Sequence, residues 1–416
     1  MDPAGVRTRE NAIALDRADA LSALRDEFEL PAGMIYLAGN SLGALPREAA
    51  AHVEETVRGH WGRGLVTSWT RHGWIDLPFR LGDAIGRLIG AAPGQVVVAD
   101  STSVNLFKLL AVALRLRPDR LVIVSERDNF PTDLYVAEGL VDLLGGDCEL
   151  RLVGEGGLEA ALDGEVAVVA LSHVNYRDGA LHDMAAVTGQ VHGRGALMLW
   201  DLSHSAGALP VALDRCGVDL AVGCTYKYLS GGPGAPAYLY VAERLQEQAR
   251  QPLSGWMGHA APFAFEPAYR PAPGIARQLC GTPPVLSMSA IGAGVELLER
   301  AGMAAVRAKS VALSELFIGL AEHSCASFGL TLASPREAER RGSQVCFCHP
   351  DAYPVMQALI ARGVIGDFRA PDVLRFGLAP LVLRFVDVWD AATALADVLA
   401  TGAWDRPEFR AVKRVT

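Results

Sequence analysis

Short apolar runs alternate with stretches of helical periodicity through the middle of the chain. The repeat starts near residue 95 and ends near residue 241. This alternation predicts an α/β fold, with a large domain built on a mostly parallel sheet of the seven-stranded type, flanked by helices on both faces. The ligand site of such a sheet lies at the carboxyl ends of its strands. The predicted strands are 95–99, 121–125, 150–153, 166–171, 196–200, 220–224 and 237–241, and the predicted helices are 104–116, 132–144, 158–162 and 184–191.

The pattern changes on both sides of this repeat. Residues 254–284 are loop-like, with six prolines and four glycines, and long irregular segments of this kind are often functional. The chain then becomes helical and alternates again, which predicts a second, smaller α+β domain. The other predicted elements are helices 11–29, 47–59, 78–90, 286–299, 303–322, 352–361 and 386–399 and strands 34–37, 344–347 and 373–376.

These changes of pattern suggest three parts. Residues 1–45 form an N-terminal segment that contributes to the small domain and to the edge of the active site. Residues 46–285 form the large domain, and residues 286–416 form the C-terminal small domain.

Composition narrows the classes of function. The chain has 416 residues, of which 50% are hydrophobic, and a formal net charge of −9. It is therefore expected to be globular, and its charge argues against nucleic acid or an anionic membrane as the main partner. No apolar run is long enough to span a membrane, and residues 1–5 do not begin a signal peptide. Seven cysteines without a CxxC pair fit a reducing cytoplasm, and Cys346 and Cys348 lack a histidine pair at zinc-finger spacing.

A lysine between an apolar run and a glycine-rich turn is the strongest chemical signal. Lys227 follows the apolar run 221–223, is flanked by Tyr226 and Tyr228, and precedes the turn 231–234. Glycines let the backbone approach a ligand closely, and a desolvated amine is a nucleophile. The competing interpretation is a solvent-exposed lysine at the end of a strand.

An aspartate at the end of a second predicted strand is a candidate for the same site as this lysine. Asp201 follows the strand 196–200, and a buried acid needs a cationic partner. Lys227 and Asp201 together are typical of a pyridoxal 5'-phosphate (PLP) site, where the lysine forms the Schiff base and the aspartate pairs with the pyridinium nitrogen. The alternative for Asp201 is a helix N-cap. His204 either orients Asp201 or caps a turn.

Hydroxyl groups at a helix N-terminus suit the phosphate of that cofactor. Residues 100–105 link a predicted strand to a predicted helix, so Thr102 and Ser103 lie near the helix N-terminus. Tyr226 and Thr282 can add hydroxyl donors. Ordinary N-capping is the competing interpretation of this segment.

Further candidates lie at neighbouring strand ends and in the small domain. Phe130 is placed to stack on a planar ring, although it also fits a hydrophobic staple. Ser172 ends another strand and so points to the same crevice. Arg375 is a lone arginine in an apolar strand, which suits a bidentate clamp for a substrate carboxylate or a snorkelling arginine at a sheet edge. The segment around Phe130 that we assign to the cofactor site comprises Phe130, Pro131, Thr132 and Asp133.

Taken together, these runs resemble the kynureninases, PLP enzymes of the fold-type-I (aspartate aminotransferase-like) superfamily, in their bacterial form. The resemblance extends in order over nearly the whole chain. It rests on YLAGNSLG (36–43), STSVNLFK (101–108), NFPTDLY (129–135), LSHVNYRDG (171–179), WDLSHSAGALPV (200–211), GCTYKYLSGGPG (223–234), PLSGWMGH (252–259), CGTPP (280–284) and RGVIGD (362–367).

The resemblance implies roles for individual residues. Lys227 would carry PLP, Asp201 would pair with its pyridine nitrogen beside His204, and Phe130 would stack on its ring. Arg375 would bind the substrate's α-carboxylate, and Asn40 and Ser41 would line the substrate site. The implied phosphate ligands are Thr102, Ser103, Tyr226, Trp256 and Thr282, of which Trp256 and Thr282 would come from the partner subunit of a homodimer, while Asp133 and Ser172 would complete the pocket.

The implied reaction is the hydrolysis of L-kynurenine to anthranilate and L-alanine in tryptophan catabolism, and 3-hydroxykynurenine is an expected second substrate. Lys227 would move the proton at the α-carbon, and Tyr226 is our candidate acid–base group for the cleavage of the Cβ–Cγ bond. Ala38 departs from the aspartate expected in many bacterial relatives. Trp69 and His72 lie in a region that shapes the aryl pocket in our interpretation.

Two other functions are compatible with a PLP fold. A cysteine desulfurase needs a mobile cysteine, but residues 343–348 read as a buried strand, so Cys346 and Cys348 are expected in the core. A non-catalytic PLP-binding protein is the second alternative, because fold does not fix function. The intact set of Lys227, Asp201 and Arg375 argues against it.

Overall fold

A seven-stranded sheet forms the centre of the computed structural model, which describes residues 8–412. Across the sheet the strand order is β1-β7-β6-β5-β4-β2-β3. Strand β7 runs antiparallel to both its neighbours, and every other neighbouring pair in this sheet is parallel. The prediction of a mostly parallel seven-stranded sheet is therefore confirmed. The strands are β1 (Val96–Val98), β2 (Val122–Glu126), β3 (Glu149–Val153), β4 (Val166–Ser172), β5 (Leu197–Asp201), β6 (Leu220–Gly223) and β7 (Tyr238–Val241).

Helices cover both faces of this sheet because successive strand residues point to opposite sides. Val96 and Val98 pack into one core with Ile85, whereas Val97 packs into the other with Leu109. The α-helices of residues 8–412 are α1 (Arg9–Ala18), α2 (Arg47–Glu55), α3 (Ser68–Arg71), α4 (Leu77–Ile89), α5 (Thr102–Leu116), α6 (Pro131–Leu143), α7 (Leu158–Ala161), α8 (Met184–Gly193), α9 (Glu243–Gln246), α10 (Val285–Met288), α11 (Ile291–Ala301), α12 (Met303–Cys325), α13 (Ala352–Ala361), α14 (Phe385–Thr401) and α15 (Pro407–Arg410).

A smaller antiparallel sheet follows in the C-terminal part of the chain. Its order is β8-β9-β11-β10. One face of it packs on α12 and α13 through Val345, Phe347, Leu374 and Phe376. The strands are β8 (Thr331–Leu332), β9 (Gln344–Cys348), β10 (Asp367–Arg369) and β11 (Val373–Gly377).

The N-terminal segment lies against this smaller sheet. The short strand Ile35–Tyr36 pairs in parallel with Val364–Ile365, and Ala38 forms an isolated bridge with Gly377. Further along, the N–H of Gly43 donates to the carbonyl of Tyr226 in the large domain. The segment therefore contacts both parts of the fold. The predicted boundaries at 45 and 285 stay predictions.

The first predicted helix is shorter in the structure than we expected. The expected helix 11–29 ends at Ala18, and a 3-10 helix follows at Ser22–Glu27. Asp19 is extended there, and its side chain accepts the N–H of Leu21 at 2.9 Å, which replaces the helical hydrogen bond. The same carboxylate pairs with Lys309 of α12 at 2.7 Å. This local competition between side chain and backbone is not visible in the hydrophobic period.

Two other helices differ from expectation in their continuity. The helix expected over 47–59 is regular only to Glu55 and continues as a π-helix, Thr56–Gly64. The helix expected over 286–299 is split into α10 and α11. The predicted loop 254–284 contains only two 3-10 turns, Trp256–Gly258 and Gly274–Gln278.

No helix within residues 8–412 is both long enough and apolar enough to cross a membrane. The expectation that residues 1–5 do not begin a signal peptide lies outside the described residues.

Candidate active site

Lys227 lies in the turn that follows β6, at the carboxyl edge of the large sheet. Its Nζ is 3.0 Å from Nε2 of His204 and 6.0 Å from the ring centroid of Phe130. The other lysines of residues 8–412, Lys108 and Lys309, each pair with an aspartate. No carboxylate in the described chain forms a salt bridge with Lys227. An amine that faces aromatic rings and a neutral imidazole is available for covalent chemistry.

The neighbouring backbone is packed closely around this lysine. At Gly43 an added Cβ would lie 2.3 Å from the carbonyl oxygen of Lys227 and 2.5 Å from Oγ of Ser230. Any larger residue at position 43 would therefore displace the turn that carries the lysine.

Two carboxylates form a buried pair at the inner side of the site. Asp201 ends β5, and Asp133 lies in the first turn of α6. Burial raises the pKa of Asp133 well above its ordinary value, and the nearby charge of Asp201 and a hydrogen bond between the two carboxyl groups add to that rise. Asp201 also accepts the N–H of Ser203 at 2.7 Å. This contact is a local bond to the backbone of a turn, and no helix begins in residues 202–208, so the N-cap interpretation of Asp201 is wrong.

Such a pair requires a proton or a cation to balance its charge. Lys227 is the cation that lowers the pKa of Asp133 in this structure. The carboxylates could bind a protonated pyridine nitrogen, and the amine of Lys227 could bond to an aldehyde carbon, so the residues present suit PLP.

His204 contacts the lysine and not the aspartate, which corrects the expectation that it orients Asp201. Its Nε2 faces Lys227, and its Nδ1 is 3.1 Å from Oε1 of Gln344. Burial and the charges of Lys227 and Arg375 lower the pKa of His204 well below its ordinary value, so the ring is neutral. Because Nδ1 faces an amide oxygen, it carries the proton, and Nε2 accepts a hydrogen bond from the amine of Lys227.

Gln344 is a site residue that the sequence interpretation missed. Its Nε2 donates to the carbonyls of Asn175 and Tyr176, both at 3.1 Å, which leaves Oε1 to face His204. The same Oε1 lies 3.4 Å from the side-chain nitrogen of Asn40. A buried glutamine that opens an otherwise apolar strand was the signal available in the sequence.

The segment around Asp100 forms the edge of a cavity beside the lysine. Oγ of Ser101 caps α5 by accepting the N–H of Val104 at 3.3 Å, so N-capping is real for Ser101. Thr102 and Ser103 are the first two residues of the helix, where free N–H groups favour an anion. A cavity of about 680 Å³ is lined by Ser41, Leu42, Asp100, Ser101, Tyr226, Pro233, Gly234, Ala235, Pro236, Thr282 and Pro284.

A buried ion pair connects this edge to the loop that carries Thr282. Nζ of Lys108 on α5 bonds the carboxylate of Asp100, and it also donates to the carbonyl of Gln278 at 2.7 Å. The side chain of Lys108 is fully buried, whereas that of Asp100 is 30% exposed.

The other predicted cofactor residues lie at the start of α6 and at the end of β4. Phe130 contacts Tyr176 edge-on at 5.2 Å, and Pro131 and Thr132 begin α6 directly after it. Oγ of Ser172 donates to the side chain of Asn129 at 2.6 Å, so Asn129 is a second missed residue at this strand end.

Three predicted site residues contact other aromatic side chains and not the residues around Lys227. Trp256 packs edge-on against Phe263 at 5.7 Å. His72 stacks on His60 at 3.8 Å, and Trp69 contacts Trp74 at 5.8 Å. The predicted roles of Trp256, Trp69 and His72 stay predictions.

Arg375 is buried at the centre of a polar cluster on the smaller sheet. Its Nε and Nη2 each lie 2.6 Å from an oxygen of Asp367, and its Nη1 donates to the carbonyl of Tyr176 at 2.5 Å. Ser41 lies between the two side chains, 2.8 Å from Nη2 and hydrogen-bonded to Asp367. Arg375 is therefore no snorkelling arginine, and Asp367 is a third missed residue.

Comparison of the chain with known proteins identifies similar families and structures. The family model described as Kynureninase C-terminal domain matches residues 306–395. A kynureninase of Burkholderia pseudomallei (strain 1106a) is 56% identical over 416 residues, which cover 99% of this chain and 100% of that protein. A kynureninase of Pseudomonas fluorescens is 51% identical over 414 residues, with 98% and 100% covered.

Solved structures with lower identity share the fold. A lysine-to-alanine mutant of C-DES, with glycine covalently linked to its PLP cofactor, has a TM-score of 0.78 at 17% identity and covers 90% of this chain and 99% of that one. An apo cysteine desulfurase of Thermococcus onnurineus NA1 has a TM-score of 0.75 at 18% identity, with 91% and 98% covered. The fold is thus that of PLP-dependent enzymes, and the near-complete match to curated relatives shows that this chain belongs to the kynureninase family.

Proposed function

We propose that this chain hydrolyses L-kynurenine to anthranilate and L-alanine, with PLP bound at Lys227. The observation that carries the proposal is the convergence of two parts of the fold. Lys227 and the buried pair Asp133 and Asp201 lie at the carboxyl edge of the large sheet, and Arg375 of the smaller sheet acts with Lys227 on the shared neighbour His204. A covalent amine, a partner for a pyridinium and a guanidinium for a carboxylate are the three elements that an α-amino acid substrate of a PLP enzyme requires.

If PLP binds here, Phe130 would contact its ring and the carboxylate pair would bind its pyridine nitrogen. The first turn of α5 and the hydroxyl groups of Tyr226 and Thr282 would hold its phosphate. Bound there, PLP would supply an electron sink for negative charge at the substrate's α-carbon.

Lys227 is the proposed base at the α-carbon. The neutral ring of His204 accepts a hydrogen bond from the amine and so holds it in one orientation. Gln344, which lies in β9 of the smaller sheet, fixes the tautomer of His204. The orientation of the Lys227 side chain therefore depends on a residue of the smaller sheet.

Tyr226 is the proposed acid–base group for cleavage of the Cβ–Cγ bond. Its ring centroid is 5.8 Å from Nζ of Lys227, and burial raises the pKa of its phenol above the ordinary value. The phenol is therefore protonated at neutral pH, which is the form that can donate a proton.

We also propose the wider properties that the family resemblance implies. The large domain 46–285 carries the cofactor, and residues 1–45 complete the substrate site together with the small domain 286–416. Thr282 is exposed in its cavity, which fits a homodimer with shared sites. A cytoplasmic location fits the free thiols of the chain, and 3-hydroxykynurenine is a proposed second substrate.

The cysteine desulfurase alternative is disfavoured by the position of the cysteines. Cys346 is fully buried in β9, and burial raises the pKa of its thiol. Cys348 is half-buried at the end of the same strand, where its pKa is also raised by burial. Neither thiol suits attack on a substrate, because the nucleophile is a thiolate.

The experiment is a fluorescence assay of anthranilate release from L-kynurenine by the PLP-loaded protein, with sulfide release from L-cysteine as the comparison. Anthranilate without sulfide is the expected result. A yellow, PLP-loaded protein that releases no anthranilate would refute the proposed function.

A further inference from the structure

The guanidinium of Arg375 has little capacity left for a ligand. Its Nε and one N–H of Nη2 bond the two oxygens of Asp367, and the other N–H of Nη2 bonds Ser41. One N–H of Nη1 bonds the carbonyl of Tyr176. Since a guanidinium has five N–H groups, only one remains, so Arg375 as placed here cannot grip a carboxylate with two parallel hydrogen bonds.

A second arginine lies on the same face of the smaller sheet. Asp367 and Arg375 are register partners in the pairing of β10 with β11, and Arg369 follows Asp367 by two residues. Opposite residues and residues two apart share one face of a sheet, so the three side chains lie together. Phe368, on the other face, packs against the apolar core.

The guanidinium of Arg369 makes fewer hydrogen bonds than that of Arg375. Its Nη1 bonds the neighbouring carbonyl of Phe368 at 2.8 Å, and its Nη2 lies 3.4 Å from Asp367. One third of the side chain, 33%, is exposed. Burial and the charge of Arg375 lower the pKa of Arg369, whereas the charge of Asp367 raises it, so the two arginines share one carboxylate.

Arg369 is also electrostatically part of the site around Lys227. Its charge contributes to the lowered pKa of His204, together with the charges of Lys227 and Arg375. The phenol of Tyr176, whose ring contacts Phe130, interacts with Arg369 as well. The cluster thus has two arginines and one carboxylate, Asp367, and its net positive charge matches a single anionic group.

We propose that Arg369 is a carboxylate-binding residue of the substrate site, which receives the α-carboxylate together with the remaining Nη1 hydrogen of Arg375, while Asp367 holds Arg375 in place. This assignment rests on the proposed function for the identity of the substrate, but the carboxylate chemistry applies to any α-amino acid ligand. A charge-assisted hydrogen bond to a carboxylate corresponds to about 10- to 100-fold in affinity.

The test uses the PLP-loaded protein and two ligands that differ only in the carboxylate. L-Alanine, the proposed product, and L-alaninamide are titrated separately, and binding is followed by the change in cofactor absorbance. In Arg369→Met we expect the dissociation constant of L-alanine to rise about 10- to 100-fold, with that of L-alaninamide changed less than about threefold. Arg369→Lys keeps the charge and should recover part of the loss.

Arg362→Met is the matched control, because Arg362 is an exposed arginine near β10 that pairs with Asp397 across the surface. It should bind both ligands as the unchanged protein does. If Arg369→Met weakens both ligands equally, or neither more than the control does, Arg369 has no role in carboxylate binding and the proposal is overturned.

Turnover of L-kynurenine separates this result from the proposed function. With a carboxylate role, Arg369→Met raises KM about 10- to 100-fold and leaves kcat within about threefold, since the lost contact is made equally in the ground state and the transition state. Absence of turnover in the unchanged protein would refute the proposed function and leave the comparison of the two alanine ligands to decide the role of Arg369.

Discussion

Replacing Lys108 by methionine removes a buried cation that joins two segments of the proposed phosphate site. In Lys108→Met, the carboxylate of Asp100 loses its partner, and the carbonyl of Gln278 loses a donor. Removal of one member of a buried pair costs about 3–5 kcal/mol, but Asp100 retains 30% exposure and can be rehydrated in part. We therefore expect a loss of stability of about 2–4 kcal/mol, to which the unpaired carbonyl contributes about 1–3 kcal/mol.

The functional consequence is a weaker hold on PLP. Asp100 precedes the helix start at Ser101, and Gln278 precedes the loop that carries Thr282, so the two sides of the cavity are no longer tied together. If about 1.4–2.8 kcal/mol of this loss appears in the free energy of PLP binding, the dissociation constant of PLP would rise about 10- to 100-fold. The measurement is a PLP titration of the apoprotein by absorbance, with kcat at saturating PLP expected to stay near its original value.

Lys309→Met provides the matched control. Lys309 and Asp19 form another buried lysine–aspartate pair, with side chains 6% and 8% exposed, between α12 and the residue that follows α1. The same substitution there should destabilise the protein by about 3–5 kcal/mol and leave PLP affinity unchanged. If Lys108→Met binds PLP as tightly as the unchanged protein, or if both variants weaken it equally, the reasoning about the cavity edge is wrong.

Three further outcomes are expected. At saturating PLP, Tyr226→Phe should lose at least about 100-fold in kcat for L-kynurenine, whereas full turnover would exclude Tyr226 as the acid–base group. Because the pKa of His204 is held well below 6.5, the pH profile of kcat/KM should show no acid limb from this residue near pH 6.5, and such a limb that disappears in His204→Gln would contradict the neutral assignment. Burial opposes ionisation of Asp367, but Arg375 outweighs it and keeps the pKa below 3.8. The resulting stability is complete above pH 3.8 and is lost as pH falls through the lowered pKa, so acid unfolding of Asp367→Asn should lack this dependence.

The central sheet could be predicted because its pattern is local. Most of the parallel strands are apolar runs, although β3 includes Glu149 and Arg151, and polar residues at the strand ends mark the site edge, as Asp201 and Ser172 do. The end of the first helix could not be predicted in the same way, since there the side chain of Asp19 accepts the N–H of Leu21. The same carboxylate also pairs with Lys309, which is far away in the sequence.

Much of the candidate site could be predicted for the same reason, but its connections could not. The proximity of Lys227, Asp201, Asp133 and Phe130 follows from their places at neighbouring strand ends. The pairing of Arg375 with Asp367 depends on the register of β10 against β11. The contact of His204 with Gln344 depends on how the smaller sheet docks on the large one. That docking leaves no periodic trace in the sequence.

The smaller sheet divides its side chains between core and ligand by the parity of their positions. In β10 and β11 the odd-numbered residues Asp367, Arg369 and Arg375 face the site, and the even-numbered residues Phe368, Leu374 and Phe376 face the core. Insertion or deletion of one residue within either strand would exchange the two sets and place charged groups among apolar ones. A change of two residues would preserve them. Length variation in these strands should therefore be tolerated in steps of two, so chain length as well as residue type defines the site.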